Sequence, residues 1–115
     1  MKNLIHTLCD YHEPGVFNPW SEYDEQCDIG PAAPDIRCRQ LRDYLEPRLH
    51  RARILLIAEA AGYQGCRFTG IPITCERMLL DAHKQISSSI ILGRQGERTS
   101  RPDCTFMTKI GRAHV

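Results

Sequence analysis

The amino-acid sequence predicts an α/β protein whose central element is an open, parallel β-sheet. The aliphatic run Ile54–Ile57 has no polar alternation, which is typical of a central strand covered on both faces. A glycine-rich segment follows this run, and a helical pattern begins at Thr74. A buried strand, a loop and a helix form the opening unit of an open α/β sheet, in which ligands bind at the carboxyl ends of the strands. We therefore expect the functional site in the loop Ala58–Ile73.

Composition narrows the class of protein. The 115 residues, 42% apolar and 25% charged, are typical of one globular domain. A net charge of +1 argues against strong, sequence-independent nucleic-acid binding. No apolar run reaches the roughly 18 residues of a membrane span, so no membrane partner is expected. The six cysteines are scattered, and no two of them have the CxxC spacing that iron–sulfur clusters use. This pattern predicts reduced thiols, a cytoplasmic location and no metal or other cofactor.

The N-terminal segment, residues 1–34, is rich in proline, glycine, aspartate and aromatic residues and predicts an ordered but irregular arm. Phe17, Trp20 and Tyr23 are interpreted as anchors that pin this arm to the rest of the domain, because aromatic side chains bury much area with few rotatable bonds. Stacking on a ligand is the alternative role of these rings.

Two helices are predicted beyond the arm. Apolar spacing favours a helix over Asp35–Leu45 with Asp35 as its N-cap, and Pro47 should end or kink that helix. A second helix should begin at its N-cap, Thr74. The arginines spread over residues 37–53 are interpreted as a solvated helix face.

The remaining sequence offers at most one weak strand, at Ile90–Leu92. A central parallel strand such as Ile54–Ile57 needs a neighbour on each side to satisfy its backbone groups. Those neighbours are missing from the sequence. We therefore expect the chain alone to be unstable or to pair with other chains through this run.

Four stretches resemble the uracil-DNA glycosylase superfamily, in the branch with a GEAPGY-like first motif and a TGIPFTSE-like stretch. They are FNPW (Phe17–Trp20), AEAAGYQG (Ala58–Gly65), TGIPITCE (Thr69–Glu76) and RTSRP (Arg98–Pro102). The resemblance implies a three-layer α/β/α fold with a parallel central sheet, of which residues 35–108 would form an incomplete, N-terminal part. It also implies a DNA-repair hydrolase that cleaves the N-glycosidic bond of a flipped uracil or a related damaged base.

The candidate catalytic residue is Glu59, the acid nearest to the first motif. A carboxyl group at the end of a strand can position or deprotonate a water molecule, although capping the backbone of its own loop is an equal alternative. The resemblance implies a base-binding site whose backbone donors stabilise the charge that develops on the leaving base. Its members are Ala60, Ala61, Gly62, Tyr63 and Ile73. Ala60 stands where the best-known branch has its water-activating Asp, and Ile73 where the family has a stacking Phe.

Arg67 and Arg77 are the candidates for contacts with DNA phosphates, with ordinary exposure to water as the alternative for each. Gly65 and Gly70 are interpreted first as residues that permit tight turns, and second as places where the backbone approaches a ligand. The expected partner is therefore DNA that contains uracil or a related damaged base, bound by a full-length protein that is a monomer.

The end of the chain, Lys109–Val115, resembles the translation of a sequencing-library adapter, so residues 109–115 are expected to be a non-native tail. The superfamily's later Asn and its C-terminal HPS-like loop do not occur in the sequence, and the chain by itself is expected to be inactive. A catalytically silent relative that binds a base or nucleic acid is the alternative. A generic nucleotide-binding unit is less suitable, since AEAAGYQG fits neither GxGxxG nor GxxxxGK[ST].

Overall fold

The computed structural model describes residues 2–57, 62–102 and 104, and their regular structure is helical. The elements are α1 (Lys2–Asp10), α2 (Ala33–Leu45), a 3₁₀ turn (Glu46–Arg48), α3 (Cys66–Thr69), α4 (Glu76–Leu79) and α5 (Ser88–Ile91). Within these described ranges β-pairing is limited to the isolated bridges Glu13–Val16 and Asp28–Ser100. None of the described helices combines the length and the apolar character that crossing a membrane would require.

The predicted α/β fold with a parallel central sheet is wrong for this structure. Ile54–Ile57 has no regular secondary structure, and its four side chains are 77–85% exposed. The second expected strand, Ile90–Leu92, instead overlaps α5. A strand is stable only when neighbouring strands take up its backbone N–H and C=O groups, and the described part of the chain supplies none beside this run.

Helix α2 confirms the first predicted helix and begins two residues before the expected start. Pro34 lies in its first turn, where the missing N–H breaks no intrahelical bond. Asp35 is not the N-cap but lies in the first turn. There its negative charge interacts favourably with the positive end of the helix dipole. The helix ends at Leu45, and Pro47 lies in the 3₁₀ turn that follows it.

The second predicted helix is only one turn long, α4, and its N-cap is Cys75 rather than Thr74. The Thr74 hydroxyl donates to the Pro72 carbonyl at 3.0 Å instead of capping the helix. Asp81 ends this segment in the left-handed region with φ 59°, and its carboxylate accepts the N–H and hydroxyl of Ser88 at 2.8 and 2.9 Å. Asp81 thus links α4 to the start of α5.

The apolar core is small and lies between α4, α5 and the loop before α4. Ile71, Leu79 and Leu92 form it, with Tyr44 of α2 and Ile91 packed against it. With only a small apolar cluster available, buried polar groups carry much of the packing between segments.

The N-terminal segment contains the helix α1 where an irregular arm was expected. The Asn18 side chain donates to the carbonyls of Leu8 and Tyr11 at 2.6 and 2.9 Å and so closes the C-terminus of α1. Trp20 anchors this segment as predicted, because its indole N–H donates to the Gly70 carbonyl at 3.1 Å. Tyr23 remains 38% exposed, so the anchor interpretation fails for that ring.

Candidate functional site

Three of the stretches that carry the family resemblance contact the fourth, TGIPITCE. Trp20 of FNPW contacts Gly70 through the hydrogen bond described above. A Cβ on Gly65 of AEAAGYQG would lie 3.1 Å from the Thr74 carbonyl oxygen, so the two backbones touch there. Glu76, the last residue of TGIPITCE, binds Ser100 of RTSRP. Two of these contacts join residues that are 50 and 24 positions apart in sequence.

The Thr69 hydroxyl fixes the shape of the loop between α3 and α4. It donates toward the Thr74 carbonyl at 2.8 Å and accepts the Ile71 N–H at 3.1 Å. Gly70 follows α3 with φ +77°, and a Cβ there would lie 2.6 Å from the Arg37 carbonyl oxygen. Only glycine suits this position, since both the left-handed backbone and the contact with α2 exclude a side chain.

Three of the predicted base-binding residues lie at the surface of this loop region. Gly62 is exposed, Tyr63 is 71% exposed and Ile73 is 50% exposed. Ile73 has φ +58°, which is rare for a β-branched residue and stores strain of about 1–3 kcal/mol. Strain of this kind is concentrated at binding and catalytic sites. At Ile73 the strained backbone leaves the apolar side chain half exposed to solvent.

Glu59, Ala60 and Ala61, the candidate catalytic residue and two base-binding residues, lie outside the described residues, as does the expected tail 109–115. Of the first motif, the structure therefore places Gly62–Gly65.

Arg67, predicted to contact DNA, faces the interior and is paired there. Its guanidinium lies 2.9 Å from Asp28 and 3.4 Å from Asp24, with its side chain 13% exposed. It also stacks over the rings of Phe17 and Phe68 at 4.2 and 4.5 Å. A phosphate would have to displace these contacts to bind Arg67.

Arg77, the other predicted DNA contact, lies in the last turn of α4 and is half-buried. Within the described part of the chain no hydrogen bond or ion pair engages its side chain. Arg77 can therefore offer its guanidinium to an anion at a lower cost than Arg67 can.

Two carboxylates near the loop are buried and fully engaged. Glu76, 4% exposed, accepts the backbone N–H groups of Thr99 and Ser100 at 2.7 and 3.2 Å and a short hydrogen bond from the Ser100 hydroxyl. Asp28 is fully buried and accepts Arg37 in a two-point contact at 3.0 and 3.2 Å. Both acids hold segments together and have no free face for a water molecule or a base.

Arg37 is the residue that sequence reasoning missed. It was assigned to a solvated face, yet its side chain is fully buried. Beyond Asp28 it donates to the carbonyls of Pro19 and Glu22 and to the Thr99 hydroxyl, which matches its five N–H groups. The only sequence signal for burial of Arg37 is that its neighbours in α2 include the apolar positions Ile36 and Leu41.

The electrostatics of this buried pair are dominated by opposite charges. Burial raises the pKa of Asp28, but hydrogen bonds and charge from Arg37, together with those from Asp24 N–H and Arg67, outweigh burial and hold the pKa below its ordinary value. Asp28 is therefore an anion at neutral pH and a structural group rather than a proton acceptor for catalysis.

A separate open groove of about 630 Å³ lies between the 3₁₀ turn and α5. Its lining includes Pro47, Arg51, Ala52, Ile90 and Gly93. No residue between positions 62 and 76 lines it. In the described ranges no three His, Cys, Asp or Glu side chains are grouped as metal ligands would be.

Comparisons with known proteins found no matching family model, no matching curated protein and no matching solved structure.

Proposed function

We propose that this chain is a uracil-DNA-glycosylase-like DNA-repair protein that binds a flipped uracil, or a related damaged base, at the candidate loop, here taken as residues 62–75 including the one-turn helix α3. Glu59 supplies the carboxyl group for hydrolysis, and DNA that contains the damaged base is the partner.

The observation that carries this proposal is that the other three resembling stretches all contact the fourth, TGIPITCE. Chance likeness in scattered stretches gives no reason for them to meet in space, whereas a shared site does. The exposed side chains of Tyr63 and Ile73 add apolar surface to this loop region, as contact with a base requires. Arg77 supplies a cation for the phosphate backbone.

A catalytically silent base-binding protein is the second candidate, and one observation favours it. Glu76 and Asp28, the buried carboxylates near the loop, are saturated by hydrogen bonds and ion pairs. Hydrolysis would then depend on Glu59 alone. A protein without an active carboxylate would bind the base and release nothing.

Binding is tested by titrating the chain into a fluorescent oligonucleotide that carries one uracil, with a matched thymine oligonucleotide as reference. We expect tighter binding to the uracil strand. Ile73→Phe, which adds an aromatic face, should raise the affinity about tenfold. Ile90→Phe is the matched control, since Ile90 is 71% exposed but lies outside the loop. Equal affinities for both strands and no gain from Ile73→Phe would contradict the proposal.

Catalysis is tested by measuring uracil release by the chain beside its Glu59→Ala variant. Release that is lost in Glu59→Ala but kept in Glu25→Ala, a change of an exposed acid in the N-terminal segment, supports the enzyme. Binding without release supports the silent relative.

A further inference from the structure

Two cysteines, one in α1 and one in α2, lie in contact with each other. Cys9 lies near the end of α1 and Cys38 in the first half of α2, 29 positions apart in sequence, and their Sγ atoms are 3.2 Å apart. Both thiols also point at one acceptor, the Trp20 carbonyl, at 3.3 and 3.1 Å. A disulfide requires the sulfur atoms to approach by only about 1 Å more.

We propose that Cys9 and Cys38 form a reversible disulfide that clamps α1 onto α2 when the chain meets a peroxide. In the first step hydrogen peroxide transfers one oxygen atom to the Cys9 Sγ, which becomes a sulfenic acid as water is released. The Cys38 thiolate then attacks this sulfur; the S–S bond forms, the S–O bond breaks, and the departing hydroxide takes up a proton to give a second water. In total, the two thiols lose two electrons and two protons, and one hydrogen peroxide is reduced to two water molecules.

The thiol environment makes closure slow at neutral pH. Burial raises the pKa of Cys38 to about 12, with further contributions from the Cys9 hydrogen bond and the Asp35 charge and an opposing one from Arg37. The attacking thiolate is therefore scarce at pH 7, and the rate of closure should rise about tenfold for each pH unit between 7 and 9. The reduced chain is therefore expected to resist brief exposure to an oxidant. The Cys9–Cys38 disulfide forms only under prolonged exposure to peroxide.

Closure changes a defined part of the molecule. Before oxidation α1 is held to the body by hydrogen bonds around Trp20 and Asn18. The disulfide adds a covalent link between residues 29 positions apart, so the unfolded chain loses conformational freedom. The expected result is a rise in Tm of about 10 °C. Trp20 also donates to Gly70, so the link is mechanically connected to the start of the candidate loop.

The test treats the reduced full chain with excess hydrogen peroxide, blocks free thiols, and digests the protein with trypsin and a glutamate-specific protease. Cleavage after Glu22 or Glu25 and after Arg37 leaves Cys9, Cys27 and Cys38 on three separate peptides. We expect a peptide pair joined through Cys9 and Cys38, a higher Tm, and reversal of both by dithiothreitol.

Matched variants separate this pair from its rival. The hydrogen bond with Cys104 raises the pKa of Cys27 to about 11, so these two thiols are also neighbours. Cys27→Ser should keep both the link and the Tm rise, whereas Cys38→Ser should lose both. Joined peptides of any other pairing, or a Cys9–Cys38 link that leaves Tm unchanged, would overturn the clamp.

Discussion

Replacing Arg37 by Met should be among the most damaging substitutions in this chain. The change keeps most of the aliphatic volume and removes the guanidinium, which leaves Asp28 with a buried charge and deprives three further acceptors of their donors. Breaking a buried ion pair by removing one partner costs about 3–5 kcal/mol. Asp28 keeps Arg67 at 2.9 Å, so we expect the lower end, about 3 kcal/mol. That corresponds to a fall in Tm of about 12 °C.

Arg39→Met is the matched control, two residues further along the same helix. Arg39 pairs with Glu97 at 3.7 Å, with the two side chains 53% and 55% exposed. An exposed pair of this kind contributes about 0–1 kcal/mol, so Arg39→Met should move Tm by no more than about 4 °C. Urea unfolding followed by circular dichroism measures both free energies of unfolding. Equal losses for the two variants would refute the assignment of Arg37 as a buried hub.

Three further predictions concern single positions. Because the pKa of Asp28 is lowered in the folded chain, its stabilisation is fully present above its unfolded pKa of about 3.9 and is lost as pH falls from there through the lower folded pKa. In urea unfolding, the deficit of Asp28→Asn should therefore be smaller at pH 3 than at pH 7, and equal deficits at the two pH values would contradict this. Gly70→Ala should lower Tm strongly while Gly30→Ala, which meets open space, does not. Ile73→Asn should stabilise the chain by about 1 kcal/mol in urea by relieving the left-handed backbone, and a loss of stability would remove the strain argument.

Local features of the fold could be predicted from the sequence. Helix α2 follows from apolar spacing and from Pro34 and Pro47, which act through the backbone itself. Trp20 as an anchor follows from the size and rigidity of its side chain. These signals are local and need no knowledge of distant partners.

Features that depend on distant partners could not be predicted. Ile54–Ile57 has the composition of a buried strand, but composition does not provide the neighbours that a strand requires. Ile90–Leu92 was too short for periodicity to separate strand from helix. Arg37 looked like its exposed neighbours, because burial of a charge is decided by Asp28 and Thr99 elsewhere in the chain. In the candidate loop, the outward position of Ile73 depends on a rare backbone conformation that no residue type signals.

The five hydrogen bonds of Arg37 also have a consequence for the order of folding. Its partners lie from 9 positions away, at Asp28, to 62 positions away, at Thr99. Each contact requires closure of a chain loop, and the entropic cost of closure is met before any bond forms. The Arg37 guanidinium can therefore lose its water only after the segments before and after α2, which carry Asp28 and Thr99, have packed against the helix. We expect α2 to form early and the Arg37 cluster to form late, so that substitutions at Arg37 accelerate unfolding more than they slow folding.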